Sequence, residues 1–337
     1  TGRFGYHTCM IDGGLVRCWG DNSEGQLGTG SSNYFYRNSP VTVYGISKAT
    51  DVTSGANHSC AIDGGVVKCW GSNLSGQLGD GTKTSTNRPV AIRSILNPIA
   101  LAAGDGHTCA IDAGSVKCWG SNSFGVLGDG TTTERATPGA VTGIANATAI
   151  AAGPTFTCVI EGGQVKCWGN GASGQFGDGL SSSSAKTPVT ASGIANATAI
   201  AAGGAFACAI EAGKVKCWGN NSVGELGDGT ATRRVTPVTT VGISSATALG
   251  AGNFHACASD AGQLKCWGNN NDGELGITND PALLGGARTS PVAVVGLKST
   301  TAVTGSNDHT CVIDAGQAWC WGSNAYGALG DGGSASR

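Results

Sequence analysis

Apolar residues in this chain fall in short runs separated by clusters of Gly, Asn and Asp. In one such stretch Thr108-Cys109-Ala110-Ile111 precedes a Gly-containing turn, Val116-Lys117-Cys118-Trp119 follows it, and Gly120-Ser121-Asn122 ends the pair. Short β-rich runs bounded by turn residues read as strands. No segment holds an apolar period near 3.6 for the length of a helix. The pattern predicts an all-β chain of short strands.

The pattern also repeats. Cysteines stand in pairs nine residues apart: Cys9 and Cys18, Cys60 and Cys69, Cys109 and Cys118, Cys158 and Cys167, Cys208 and Cys217, Cys257 and Cys266, Cys311 and Cys320. The unit recurs about every 50 residues, seven times over. It reads H-T-C-A-I-D-x-G-x-V-K-C-W-G-S-N-x-x-G-x-L-G-D-G-T, then T-P-V, then G-I-x-x-A-T-A-I-A-A-G. Roughly four strands and one tryptophan per unit fit a propeller blade better than a helical solenoid, and seven blades close into a ring. Residues 1–337 then form a single β-propeller domain, with hairpins centred near 9–18, 60–69, 109–118, 158–167, 208–217, 257–266 and 311–320. Only six Pro-led segments (Pro40, Pro89, Pro138, Pro188, Pro237, Pro291) and six connecting strands accompany the seven hairpins. One blade is therefore expected to be incomplete, its missing strands lying outside the sequence or coming from a partner. An open strand edge is a template for strand addition.

The phrases His107-Thr108-Cys109-Ala110-Ile111, Val116-Lys117-Cys118-Trp119-Gly120-Ser121-Asn122 and Gly125-x-Leu127-Gly128-Asp129-Gly130-Thr131 resemble the regulator of chromosome condensation repeat family, and the resemblance runs along the whole chain. It implies a seven-bladed β-propeller. WD repeats match less well, because the tryptophan here is followed by Gly. The resemblance does not settle the activity, since fold and function are separable.

Three chemistries compete for the cysteines. A spacing of eight intervening residues offers only two thiolates per blade, too few for a zinc site. Catalytic thiols would not come in seven copies. A disulfide inside each hairpin remains, with pairing between blades as its rival. In Cys9-Met-Ile-Asp-Gly-Gly-Leu-Val-Arg-Cys18, a two-residue turn at Gly13-Gly14 opposes Asp12 to Leu15, Ile11 to Val16, Met10 to Arg17 and Cys9 to Cys18. The last pair falls on a non-hydrogen-bonded site, where Cα atoms lie about 4.5 Å apart, within disulfide reach. A three-residue turn would put the sulfurs on opposite faces. Ala113, Ala212, Ala261 and Ala315 stand where Gly suits such a turn better. Fourteen paired cysteines place the protein in an oxidising compartment: secreted or extracellular, with cell surface or periplasm also open.

Composition narrows the classes further. Charged residues are 12% of the chain, Gly numbers 58, and the net charge is −2, which gives no field for a nucleic-acid backbone or an anionic membrane. No apolar stretch nears the roughly 20 residues that cross a bilayer. The sequence begins at Thr1 with its single Met at position 10, and reads as a processed or trimmed product.

Residues fixed by the repeat are read first as scaffold. All five histidines, His7, His58, His107, His255 and His309, share one position, which Phe156 and Phe206 fill in two units, so a packed ring with a local hydrogen bond is expected rather than a metal site. Trp19, Trp70, Trp119, Trp168, Trp218, Trp267 and Trp321 read as wedges between sheets. The Gly-Trp-Arg-His-Thr phrase of the plant ultraviolet-B photoreceptor in this family is absent, which leaves photoreception without its residues. Asp80, Asp129, Asp178, Asp228 and Asp331 are expected to bond their own turns. No Ser-His-Asp order, carboxylate pair or phosphate loop can be assembled without borrowing these residues. No catalytic, cofactor-binding or metal-binding residue is assigned, no cofactor is expected, and the chain reads as no enzyme.

Function should sit where the units disagree. Glu24, Ser75, Phe124, Ser173, Val223, Asp272 and Tyr326 occupy one variable rim position; Tyr34, Phe35, Tyr36 and Arg37 fill a loop with interface composition; Ile277–Arg288 lengthens another connection. The candidate interaction residues are Tyr34, Phe35, Tyr36, Arg37, Phe124 and Tyr326. The reading is a protein-interaction or structural scaffold with a protein partner or itself, joined to an assembly by strand complementation, with no nucleic acid, membrane span or small-molecule ligand indicated. Two alternatives stay open: a guanine-nucleotide-exchange regulator of a small GTPase, and a secreted enzyme inhibitor like the exported β-lactamase-inhibitor propellers.

Overall fold

The computed structural model describes residues 5–31, 35–277, 286–297 and 299–336. Seven antiparallel sheets follow one another along the chain. The fifth sheet shows the plan: an inner strand Ala197–Ala202, the hairpin Phe206–Glu211 and Lys214–Gly219, and an outer strand Arg234–Thr239. The first strands of neighbouring sheets approach one another while the last strands do not, so the sheets stand radially as blades around an axis. The protein is a seven-bladed β-propeller.

Turn chemistry sets each hairpin. Gly13 and Gly14 both have positive φ, at 58° and 82°, as a primed two-residue turn requires. The register follows: Asp12 opposes Leu15 and Cys9 opposes Cys18. The same turn is held with Ala at its first position, where Ala113, Ala212, Ala261 and Ala315 take φ of 48–51°. Sheet pairing imposes this conformation on residues that disfavour it.

Each hairpin carries one disulfide, and the rival pairing between blades does not occur. Cys9 is bonded to Cys18, Cys60 to Cys69, Cys109 to Cys118, Cys158 to Cys167, Cys208 to Cys217, Cys257 to Cys266 and Cys311 to Cys320. Their Cα atoms lie 4.0–4.2 Å apart, a little closer than the expected spacing, and no cysteine is free.

The core lies between blades. Cys158, Ile160, Val165 and Cys167 of the fourth blade pack against Ala207, Ala209 and Trp218 of the fifth. In the same way Cys60 and Cys69 of the second blade pack with Ala110 and Trp119 of the third, and Cys257 and Cys266 of the sixth with Val312 and Trp321 of the seventh. Each disulfide thus forms part of the apolar face that the next blade covers. Both faces of a typical blade are buried, which explains the scarcity of charge.

The strand shortfall is distributed differently from the sequence expectation of one incomplete blade. Two sheets have three strands. The first, His7–Asp12, Leu15–Gly20 and Arg37–Thr42, lacks an inner strand, and the last, Thr300–Gly305, His309–Asp314 and Gln317–Gly322, lacks an outer one, among the described residues. The chain runs hairpin first, so the deficit falls on one edge of each terminal blade. The ring still closes: Thr8 Oγ1 and Trp19 Nε1 donate to the Ala328 carbonyl, and the Asn38 and Gly332 backbones are joined. No helix among the described residues is long and apolar enough to cross a membrane.

Candidate interaction surface

Most polar groups of the repeat are committed to joining blades. Every repeat tryptophan donates its indole N–H to a backbone carbonyl in the turn of the preceding blade, at 2.7–2.8 Å. The hydroxyls of Ser59, Thr108, Thr310 and Thr8 donate to those same carbonyls. With its hydrogen committed, each hydroxyl accepts from the histidine of the blade before: His7 to Ser59, His58 to Thr108, His255 to Thr310 and His309 to Thr8, at 2.8–2.9 Å. His107 bonds Thr157 likewise. The bond expected to be local therefore spans two blades.

Where Phe156 and Phe206 replace histidine, the following blades carry Ala207 and Ala256 in place of the hydroxyl. The ring slot and its neighbour change together, because a hydroxyl facing a phenyl ring would lose its partner. All five imidazoles are buried and neutral; burial lowers their pKa from 6.5 to about 3 for His7, His58 and His309, and to about 4 for His107 and His255. Close backbone fixes the ring of His58, as it does those of His107 and His255: a Cβ at Gly55 would sit 2.3 Å from His58 Cε1.

Other repeat carboxylates are structural too. The Oδ1 atoms of Asp80, Asp129, Asp178, Asp228 and Asp331 accept from the backbone N–H two residues on. A second acidic position, not singled out from sequence, ends the first hairpin strand. Glu161 accepts the backbone N–H groups of Ala145 and Asn146 and the ammonium of Lys166, and Glu211 does the same with Ala195, Asn196 and Lys216. These bonds hold both carboxyls down at about 2. Its signal was an acid five residues before a Lys in most units. In the last blade Trp319 stands where the others have Lys or Arg, and is half-exposed.

The variable residues lie on the rim. Tyr326 is 51% exposed, and its ring centroid lies 5.2 Å from Tyr6 and 6.5 Å from Tyr36. Ring closure brings these three together from opposite ends of the sequence; Tyr6 escaped the sequence reading because it sits beside a histidine fixed by the repeat. Phe35 projects at 75% exposure. Arg37 turns its guanidinium onto the carbonyls of Phe35 and Tyr36, while Tyr34 and residues 278–285 of the sixth connection lie outside the described residues. Phe124 occupies the position of Tyr326 four blades away and does not join the cluster. Both take left-handed backbone, φ 64° and 58°, a strain of about 1 kcal/mol or more that bulky residues rarely carry without a use.

Asp272, Glu274 and Asp308 also gather on the rim, within 4.8 Å of one another, but Glu274 is occupied by Asn269 and the Asp272 amide.

Comparison with known proteins agrees with this architecture. The family model described as regulator of chromosome condensation (RCC1) repeat matches residues 13–62, 65–111 and 113–160, and a second model of that repeat matches 99–126. Human WBSCR16 has a similar structure, with 19% identity, a TM-score of 0.84, and 96% of this chain and 92% of that one covered. Prp20p of Saccharomyces cerevisiae, described with its binding to Gsp1p and histones, is similar at 22% identity and a TM-score of 0.82, covering 98% and 86%. The ectodomain of the Arabidopsis thaliana receptor kinase ACR4 is more distant, at 21% identity and a TM-score of 0.57, covering 100% and 94%. Residues 13–160 thus match the regulator of chromosome condensation repeat, and the same Trp-Gly hairpin, joined to the preceding blade through one shared carbonyl, recurs in all seven blades.

Proposed function

We propose that this protein is an extracellular, non-enzymatic interaction scaffold that reads a protein partner with its rim aromatics. The observation that carries the reading is a division of labour: the histidines and tryptophans of the repeat are occupied in joining blades and its turn acids in bonding their own turns, while Tyr36 and Tyr326 stand half-exposed at the surface beside Tyr6. Exposed tyrosines beside an arginine are the composition of binding hot spots. Seven disulfides support an oxidising location. They speak against the exchange-regulator reading, which needs a reducing compartment, although a propeller of similar fold, Prp20p, is described as binding Gsp1p and histones. Inhibition of a secreted enzyme would use the same rim.

Two measurements test this. Mass analysis with and without reductant is expected to show no free thiol in protein from its native source, and fourteen free thiols would overturn the location. A Tyr36→Ala/Tyr326→Ala variant, used beside the unaltered protein to capture proteins from the surrounding medium, is expected to lose a specific partner. Identical captures by both proteins would overturn the rim assignment.

A further inference from the structure

Tyrosine is scarce in this chain and gathered in one place. Of five tyrosines, Tyr6, Tyr36 and Tyr326 meet at the rim, Tyr44 lies apart beneath the Arg88 guanidinium, and Tyr34 is outside the described residues. Tyr6 and Tyr326 are the tightest pair: their ring centroids are 5.2 Å apart with the planes inclined at 46°, which brings the ring edges close to van der Waals contact. We propose that Tyr6 and Tyr326 form a modification site, where oxidation joins the two rings by a carbon–carbon bond and fastens the last blade to the first. The oxidant is hydrogen peroxide acting through a haem peroxidase, a pair of reactants that suits the extracellular setting proposed above. This goes beyond partner binding and uses the same rings.

The step balances as follows. Each phenol gives up one hydrogen atom, an electron and a proton together, and is left as a phenoxyl radical whose unpaired electron is shared with the ring carbons beside the oxygen. One such carbon on Tyr6 joins its counterpart on Tyr326, and each ring regains its aromaticity when the hydrogen at the new bond passes to the oxygen. In sum two C–H bonds are exchanged for one C–C bond. The pair loses two electrons and two protons, and one hydrogen peroxide takes them up and leaves as two waters. Two radicals held side by side by the fold combine ahead of encounters in solution. Tyr36 stands farther from Tyr326, at 6.5 Å, and nearly perpendicular to it, at 74°.

Both rings are open to the oxidant, Tyr6 at 37% exposure and Tyr326 at about half. Neither phenolic hydrogen is held by the fold: the Tyr326 hydroxyl has no partner among the described residues, and that of Tyr6 only accepts from the Asn307 amide, at 3.5 Å. Other polar hydrogens of this junction are committed, the Trp19 indole N–H and the Thr8 hydroxyl both donating to the Ala328 carbonyl. The backbone beneath the pair is fixed as well, with the Tyr6 carbonyl accepting the Asp21 N–H at 2.8 Å and the Gly327 N–H donating to Asn324. Phe124 repeats the left-handed backbone of Tyr326 but carries no hydroxyl, and it shares its pocket with Pro154 and Thr155 rather than with a tyrosine.

The test is treatment of the dilute 337-residue protein with a haem peroxidase and hydrogen peroxide, followed by peptide mass mapping. One linked pair of peptides is expected, containing Tyr6 and Tyr326, lighter than the two separate peptides by two hydrogen atoms and carrying the blue fluorescence of dityrosine. Tyr6→Phe and Tyr326→Phe are each expected to abolish this pair, while Tyr36→Phe and Tyr44→Phe keep it. The same linked pair is expected in protein from its native source. No dityrosine in the treated protein, a link between molecules as its sole product, survival of the link in Tyr6→Phe, or its absence from the native protein would overturn the inference. Phenylalanine retains the ring that a partner would cover, so these variants and the alanine variant at the rim separate a failure of the cross-link from a failure of partner binding.

Discussion

Ala212 takes φ of 50° in a turn where glycine is at ease, as do three other alanines at its position. An L-residue there is strained by about 1 kcal/mol. Ala212→Gly is accordingly expected to raise stability by about 0.5 kcal/mol, the relief of strain exceeding the entropy that glycine adds to the unfolded chain; a lower denaturant midpoint would contradict this. The histidines make a sharper case. Thr310→Ala leaves the His255 Nε2–H buried and unpaired, at an expected cost of about 1–3 kcal/mol. Adding His255→Phe recreates the Phe206/Ala256 pair already present one junction earlier, and should recover most of the loss. A double-mutant cycle with coupling near zero would refute the pairing. This compensation was written in the sequence, but one repeat away from each histidine. Reading the ring within its own unit suggested only a local bond.

At the scale of elements, the hairpins were the most legible feature. Cysteine spacing and a two-residue turn together leave a single register that puts both sulfurs on one face, and the structure has that register in all seven blades, from Cys9 opposite Cys18 through Cys60 opposite Cys69 and Cys257 opposite Cys266 to Cys311 opposite Cys320. The carboxylate at the strand end was not legible, because an Asp or Glu beside Gly reads as ordinary turn chemistry until the connection folded over it is known. Glu161 caps two amides of that connection and holds Lys166 at 2.6 Å. Lys166→Met is expected to cost about 1 kcal/mol, read from thermal or denaturant midpoints, since most of the carboxylate's bonds survive. Strand counts likewise revealed a shortfall without revealing that it falls on two edges: six outer strands serve seven hairpins equally well with either terminal blade open.

For the whole molecule, acidity is the natural probe. Each buried imidazole stays neutral in the folded ring, with its pKa depressed below 6.5 to about 3 or 4, while the unfolded chain takes up the proton. The stability this represents is complete above pH 6.5 and is lost as pH falls through the window below it, by up to about 1.4 kcal/mol per pH unit for each histidine. Glu161 and Glu211, depressed from 4.5 to about 2, add a second loss that begins only below pH 4.5. The thermal midpoint is therefore expected to fall from about pH 7 to about pH 5 and more steeply beyond. A flat profile over that interval would mean the histidines are not the neutral junction groups described. The tyrosine cluster belongs to this scale as well, since only closure of the ring makes neighbours of Tyr6 and Tyr326.

The tryptophans carry an optical consequence. Six of the repeat indoles, Trp19, Trp70, Trp119, Trp168, Trp218 and Trp267, are buried in one kind of site, each ending on a carbonyl of the preceding blade, and they should emit as nearly one population, shifted to short wavelength and shielded from ionic quenchers, with Trp321 of the last blade only partly covered. Trp319, half in solvent at the last edge, stands apart from them as the emitter that iodide can reach. A difference spectrum between the protein and its Trp319→Phe variant isolates that one side chain, so the state of a single strand edge can be followed apart from the buried emitters of the ring.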